Sequence, residues 1–350
     1  MTELTLKQRG LYAVHDTGAP SESDDYLTLV MLHGLAWHAG TFRHMLPFAK
    51  KYNARVILVN RRDYPESTPF SDEEMKTLRS AVEVTPEATE TLRGFVKDRA
   101  LDLYQLLETL IKVDNIPKKG GIALGAWSFG TQFTAALLAY GASFPVGDVD
   151  VVSYLKYVVN LDQPSHFLGY PPKEGCWNPL LDPTLPEGEG LKIFPRWVSG
   201  YFMHGEKPED IAPRDFSSEI LPTLDRMTPE DLQSALFVPP GLPGASDDVL
   251  FRAVMIHQLS GEVRKAVIFP ASHDSAWSKV KLRHVWGDRS TWSEFWGAVC
   301  LEREIEAETK EGKFARHVEF VRLRGANHFS AWDQPERTLR VLLGGEPGDL

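Results

Sequence analysis

The sequence is short of cysteine: Cys176 and Cys300 are the two in 350 residues. Two thiols cannot build a disulfide framework or a zinc site that needs several thiolates. No apolar run approaches the roughly 18–20 residues that a membrane-spanning helix requires. The start, Met1-Thr2-Glu3-Leu4, lacks the basic opening and apolar stretch of a secretory signal. Together these absences make a cytoplasmic protein the expectation. Blocks of Lys or Arg are missing as well, and 38 basic residues against 48 acidic ones leave a net charge of −10. A surface that holds nucleic acid by neutralising phosphates is therefore not expected, nor is docking on anionic lipid. Gly120, Gly121, Gly125 and Gly130 match neither a dinucleotide fingerprint nor a P-loop. His38 and His44 are six residues apart with no paired carboxylate, so neither a metal nor a cofactor is expected.

No repeat or low-complexity tract is visible. What is present is enough apolar material, 43% of the chain, for one large core. Short β-branched runs alternate with longer amphipathic ones. Residues 26–33, 54–60, 122–127, 154–161, 279–286 and 317–323 read as strands. Residues 42–52, 96–113, 129–140, 293–311 and 335–343 read as helices, and 61–95 as irregular with one or two short helices. The pattern predicts an α/β protein with a mostly parallel central sheet and helices on both faces. The rhythm breaks over 163–278, which is rich in proline, glycine and aromatics, with helical stretches near 209–237 and 247–265. The expected organisation is a core of residues 1–162 and 279–350, with a helical cap of 163–278 inserted before the penultimate strand, over the edge where such sheets bind ligands.

Gly125-Ala126-Trp127-Ser128-Phe129-Gly130 lies where a strand meets a helix. A turn that tight strains its middle residue and projects its side chain, and demands small neighbours two residues before and after, here Ala126 and Gly130. Ser128 is thus the expected nucleophile. His33-Gly34-Leu35-Ala36-Trp37 follows an earlier strand directly. A backbone N–H of Gly34 or Leu35, with that of Phe129, supplies the two donors that an acyl-transfer oxyanion needs, while His33 is expected to hold the loop. His328, in Arg324-Gly325-Ala326-Asn327-His328, follows the last strand and stands where a histidine can take a serine proton and return it.

This order of strand–His-Gly, Ala-Trp-Ser-Phe-Gly, inserted segment and Gly-Ala-Asn-His resembles the α/β-hydrolase superfamily, in its serine-nucleophile type with an inserted helical lid. The resemblance spans about residues 5–345, and in style it is similar to fungal α/β-hydrolases of uncertain substrate. It implies Ser128 as nucleophile, His328 as general base and acid, and an acid after an intervening strand. The acid usually stands three residues beyond a glycine ending the penultimate strand; here Gly287-Asp288-Arg289-Ser290 puts Ser290 at that place. Some members draw it from the strand before the lid, where this chain has Asp162. Asp162 is preferred, with Asp288 the alternative.

Arg61, Arg62 and Asp63, after the second core strand, are expected to be ion-paired. Trp37, Trp127, Trp177, Trp197 and Tyr201 are expected to contribute to an apolar substrate pocket for a hydrophobic small molecule. The reading is a serine hydrolase acting on a carboxylic ester or lactone; the alternatives are lyase-type acid/base chemistry on the same fold, or a ligand-binding protein that has lost turnover.

Overall fold

Runs of consecutive buried apolar residues, such as 29–32, 56–59 and 122–127, suit strands covered on both sides. A computed structural model, which describes residues 4–21 and 23–348, places them in one eight-stranded sheet. Its strands are β1 (Leu6–Arg9), β2 (Tyr12–Asp16), β3 (Leu27–Leu32), β4 (Ala54–Asn60), β5 (Ile122–Trp127), β6 (Leu155–Leu161), β7 (Lys281–Gly287) and β8 (Val318–Leu323), in the order β1-β2-β4-β3-β5-β6-β7-β8. From β4 to β8 the neighbours are parallel; β1 and β2 form an antiparallel extension. Helices lie on both faces. The helices Pro86–Val113 and Thr131–Tyr140 pack on one another, as do Ala39–Phe48 and Pro335–Leu342.

Registers bring the strand ends level. Leu32 pairs with Ala126, Trp127 with Leu161, Leu161 with Val285, and Gly287 with Leu323. The loops that leave β3, β5, β6, β7 and β8 therefore converge on a single edge.

Several elements differ from the sequence reading. β1 and β2 are short and partly polar, and their antiparallel pairing left no periodic signal. The helix expected over 96–113 starts at Pro86, capped by the Thr85 side chain that accepts from the Ala88 N–H; this start rests on proline at the first helical position rather than on apolar spacing. The helix expected over 42–52 is instead a 3₁₀ run, Ala39–Phe48, containing Pro47, followed by Lys50–Tyr52 and left-handed Asn53. Proline inside the run removes a donor that a regular α-helix needs.

Between β6 and β7 the chain contributes no strand to the sheet. It carries the helices Glu189–Val198, Ser246–His257 and Leu259–Ile268 and is tied to the loop after β3 by main-chain bonds: the Phe237 N–H donates to the Ala36 carbonyl (2.7 Å) and the His38 N–H to the Ala235 carbonyl (2.9 Å). Among the described residues no helix is long and apolar enough to cross a membrane.

Candidate active site

Trp127 ends β5 in extended geometry, and Ser128 then adopts φ +54° before the 3₁₀ turn Ser128–Gly130 and the helix Thr131–Tyr140. A positive φ is uncommon for a residue with a side chain and is held by its surroundings. Those surroundings leave little room. A Cβ on Gly130 would lie 2.5 Å from the His33 carbonyl oxygen, and one on Gly34 3.0 Å from Ser128 Cβ. Small residues at these two positions let the loop after β3 lie directly on the turn that bears Ser128.

That loop is anchored by a buried polar network. His33 is fully buried; its Nδ1 faces the Gly34 carbonyl at 2.9 Å and its Nε2 accepts from the Arg61 N–H at 2.9 Å. Burial, reinforced by the Arg61 charge, holds its pKa well below the usual histidine value. The neutral ring thus donates through Nδ1. The Arg61 guanidinium donates to the Gly34 carbonyl and bidentately to Asp247 on the helix Ser246–His257, at 2.8 and 2.6 Å. Tyr64 donates to the same carboxylate (2.7 Å) and accepts from the Ala36 N–H (3.0 Å). Ala36 itself sits at φ +63°. Arg62 pairs with Glu74, and Asp63 accepts from the Phe70 N–H: the first two residues of this loop are ion-paired, the third hydrogen-bonded.

His328 lies on the loop after β8. Asn327 fixes that loop by donating to the Ser199 carbonyl and the Thr223 hydroxyl, both at 2.8 Å, while its side-chain oxygen accepts from the Phe329 N–H. Trp127 donates its indole N–H to the His328 carbonyl (2.9 Å) and its ring lies 4.9 Å from the imidazole. Asp162, fully buried at φ +48°, brings Oδ2 to 3.3 Å from His328 Nδ1. Its Oδ1 accepts the Gly287 N–H at 2.7 Å, and its Oδ2 accepts the Ser290 hydroxyl at 2.5 Å. Asp288 is engaged elsewhere, accepting from the Gly325 N–H (2.6 Å) and from Arg322 (3.1 Å). A second carboxyl, Glu294, reaches within 3.7 Å of His328 Nδ1. Nothing in the sequence singles it out, because it stands in the first turn of the helix expected over 293–311, where an acidic residue is ordinary.

Ser128, His328, Glu294, Leu35 and Phe129 line one small cavity of about 20 Å³, with Phe167, Phe194, Trp197 and Phe251 also in its lining. Leu35 and Phe129 were the residues expected to offer oxyanion donors, and Gly34 lies beside them against Ser128. The aromatic expectation needs correcting. Of its five residues, Trp197 lines this cavity and the other four are placed elsewhere. Trp37 is buried edge-on against Phe329, and Trp127 supports the His328 loop. Trp177 packs behind Trp197 and donates to Asp182, and Tyr201 donates to Asp333. A large ring with one polar atom is stable where that atom finds an acceptor: Trp127 turns its N–H onto the His328 carbonyl, Trp177 onto Asp182 and Tyr201 its hydroxyl onto Asp333.

No family model and no curated protein matches this sequence. Solved structures do. A mutant epoxide hydrolase of Vigna radiata is similar over 98% of this chain and 97% of its own, with a TM-score of 0.55 at 13% identity. A haloalkane dehalogenase from Bradyrhizobium elkani is similar over 98% and 97%, with a TM-score of 0.53 at 14% identity. A peroxisomal α/β-hydrolase of Saccharomyces cerevisiae covers 95% of this chain and 80% of its own, at 0.50 and 13%. Likeness at such identity is a likeness of fold, and the chain has the α/β-hydrolase fold.

Proposed function

We propose that the protein is a serine hydrolase that cleaves a carboxylic ester or lactone of a hydrophobic small molecule through an acyl-enzyme. The observation that carries this reading is one cavity lined by both Ser128 and His328, with Asp162 Oδ2 3.3 Å from His328 Nδ1. His328 removes the Ser128 proton as the oxygen attacks the carbonyl. The oxyanion forms near the backbone N–H groups of Phe129 and of Leu35 or Gly34. His328 then protonates the leaving alcohol and, in the second half, activates water. Asp162 fixes the imidazole tautomer and balances the imidazolium. Two of the similar structures are of an epoxide hydrolase and a haloalkane dehalogenase. An alkyl-enzyme ester needs a carboxylate nucleophile, and serine at position 128 favours acyl transfer instead.

The cavity is narrow, about 20 Å³, room for about one water, so a substrate enters as the side chains around it give way; the aromatic lining suits a compact apolar acyl or alkyl group. The segment between β6 and β7 acts in this reading as a cap that excludes water. The test is labelling with a fluorophosphonate. Label that disappears in Ser128→Ala supports an activated serine, and folded wild-type protein that takes none overturns the reading. Product analysis on a panel of esters and lactones then separates hydrolysis from elimination.

A further inference from the structure

Two carboxyl groups, not one, face His328 Nδ1. Glu294 is the third residue of the helix Trp292–Lys310, its side chain is only 2% exposed, and its Oε1 lies 3.7 Å from the nitrogen that Asp162 Oδ2 approaches to 3.3 Å. Nδ1 has a well-aligned hydrogen bond to neither. The two acids are furnished differently. Asp162 receives the Gly287 N–H and the Ser290 hydroxyl, whereas Glu294 receives the Thr291 hydroxyl and borders the apolar cavity. Burial pushes the Glu294 carboxyl up to about 7; His328 pulls it down and the Asp162 charge adds to the rise. Other titratable groups near this helix end are neutralised by burial. His166, beside Ser293, is lowered to about 3, and His204, on the Ser290 carbonyl, is lowered as well. His328 and Asp162 are therefore the charges that Glu294 meets.

We propose that Glu294 is a positioning residue for His328, a second acid that shares its Nδ1–H with Asp162 and strengthens the base when it ionises. Two like charges so close to one nitrogen do not ionise together freely. Below about pH 7 Glu294 keeps its proton, and Asp162 orients the ring. As Glu294 gives that proton to solvent, a second anion faces Nδ1 and the imidazolium formed on taking the Ser128 proton is better balanced. The inference rests on the proposed roles of Ser128 and His328.

The rate of Ser128 phosphonylation by a fluorophosphonate, followed across pH, tests it without a known substrate. Wild type is expected to gain rate through an inflection near the Glu294 value, about 7. Glu294→Gln loses that inflection and is slower by about threefold to tenfold on the alkaline side, and Glu294→Asp keeps part of it. Asp162→Asn slows labelling about a hundredfold but retains a residue that climbs with pH, and Asp162→Asn/Glu294→Gln loses that residue. A Glu294→Gln profile identical to wild type, or a double variant no slower than Asp162→Asn, overturns the proposal. Titration of the His328 imidazole by NMR reads the same coupling without turnover. A downward move of its midpoint in Glu294→Gln supports the proposal, and an unmoved midpoint overturns it even if wild type takes no label, which would instead count against the hydrolase reading.

Discussion

Ser290 donates its hydroxyl hydrogen to Asp162 Oδ2 at 2.5 Å. The place after β7 where the acid was first sought thus holds a donor that orients an acid from β6. Ser290→Ala removes one hydrogen bond to a charged group, worth about 1.5–3 kcal/mol. Under the proposed function, phosphonylation of Ser128 should slow by roughly tenfold or more while the protein stays folded. A rate equal to wild type would mean that the hydroxyl does not set the Asp162 orientation.

The two aspartates should separate cleanly. Asp162→Asn is expected to lower kcat by about a thousandfold or more with little effect on KM. Asp288→Asn instead weakens the Arg322 and Gly325 contacts. It should lower the melting temperature and leave activity largely intact below it. Kinetics and thermal melting on both variants check this, and the reverse pattern would move the acid to Asp288.

Much of this arrangement was legible in the chain. The Ala126–Gly130 spacing marked the turn at Ser128, and a histidine immediately after the last strand marked His328, because both signals are local. Asp162 was readable as the preferred acid over Asp288, but its approach to His328 depends on the register that sets β6 beside β7. Glu294 was hidden because an acidic residue in the first turn of a helix is ordinary, and only the fold sets its carboxyl beside His328. The tryptophans misled for a related reason. Composition counts rings but not where they pack: Trp127 turns its N–H onto the His328 carbonyl and Trp177 onto Asp182.

Arg61 and Asp247 form a buried bidentate pair, each 4% exposed. Asp247→Asn leaves the guanidinium charge without its counter-ion and should destabilise by about 3–5 kcal/mol. Arg61→Met/Asp247→Leu should recover much of that loss. Urea unfolding of the three proteins measures it. A double variant no more stable than Asp247→Asn would show that the Gly34 and His33 contacts of Arg61, not the charge pair, carry the effect.

Glu294 also gives stability a pH dependence. Its folded value of about 7 lies above the ordinary 4.5, so the native state holds a proton that the unfolded chain releases. The contribution is complete below about 4.5 and is lost as pH rises through about 7, up to about 3 kcal/mol in all. Urea midpoints should fall between about pH 5 and pH 8 in wild type, and fall less in Glu294→Gln. Equal slopes would contradict the raised value.

Gly130→Ala places a methyl where the His33 carbonyl already stands, at 2.5 Å. Overpacking of this kind costs about 1–3 kcal/mol, and here it also pushes the Gly34–Leu35 stretch off the turn. Loss of both stability and phosphonylation rate is expected. A variant with wild-type melting and rate would show that the loop can shift freely.

The pairing of Ala36 and His38 with Phe237 and Ala235 has a further consequence. Any excursion that lifts residues 235–237 must break both main-chain bonds, yet Arg61 and Tyr64, from the loop after β4, still hold the Gly34 carbonyl and the Ala36 N–H. Under the proposed function, the amides beside Ser128 therefore keep their place while the covering segment moves. Access and alignment are governed by separate sets of bonds.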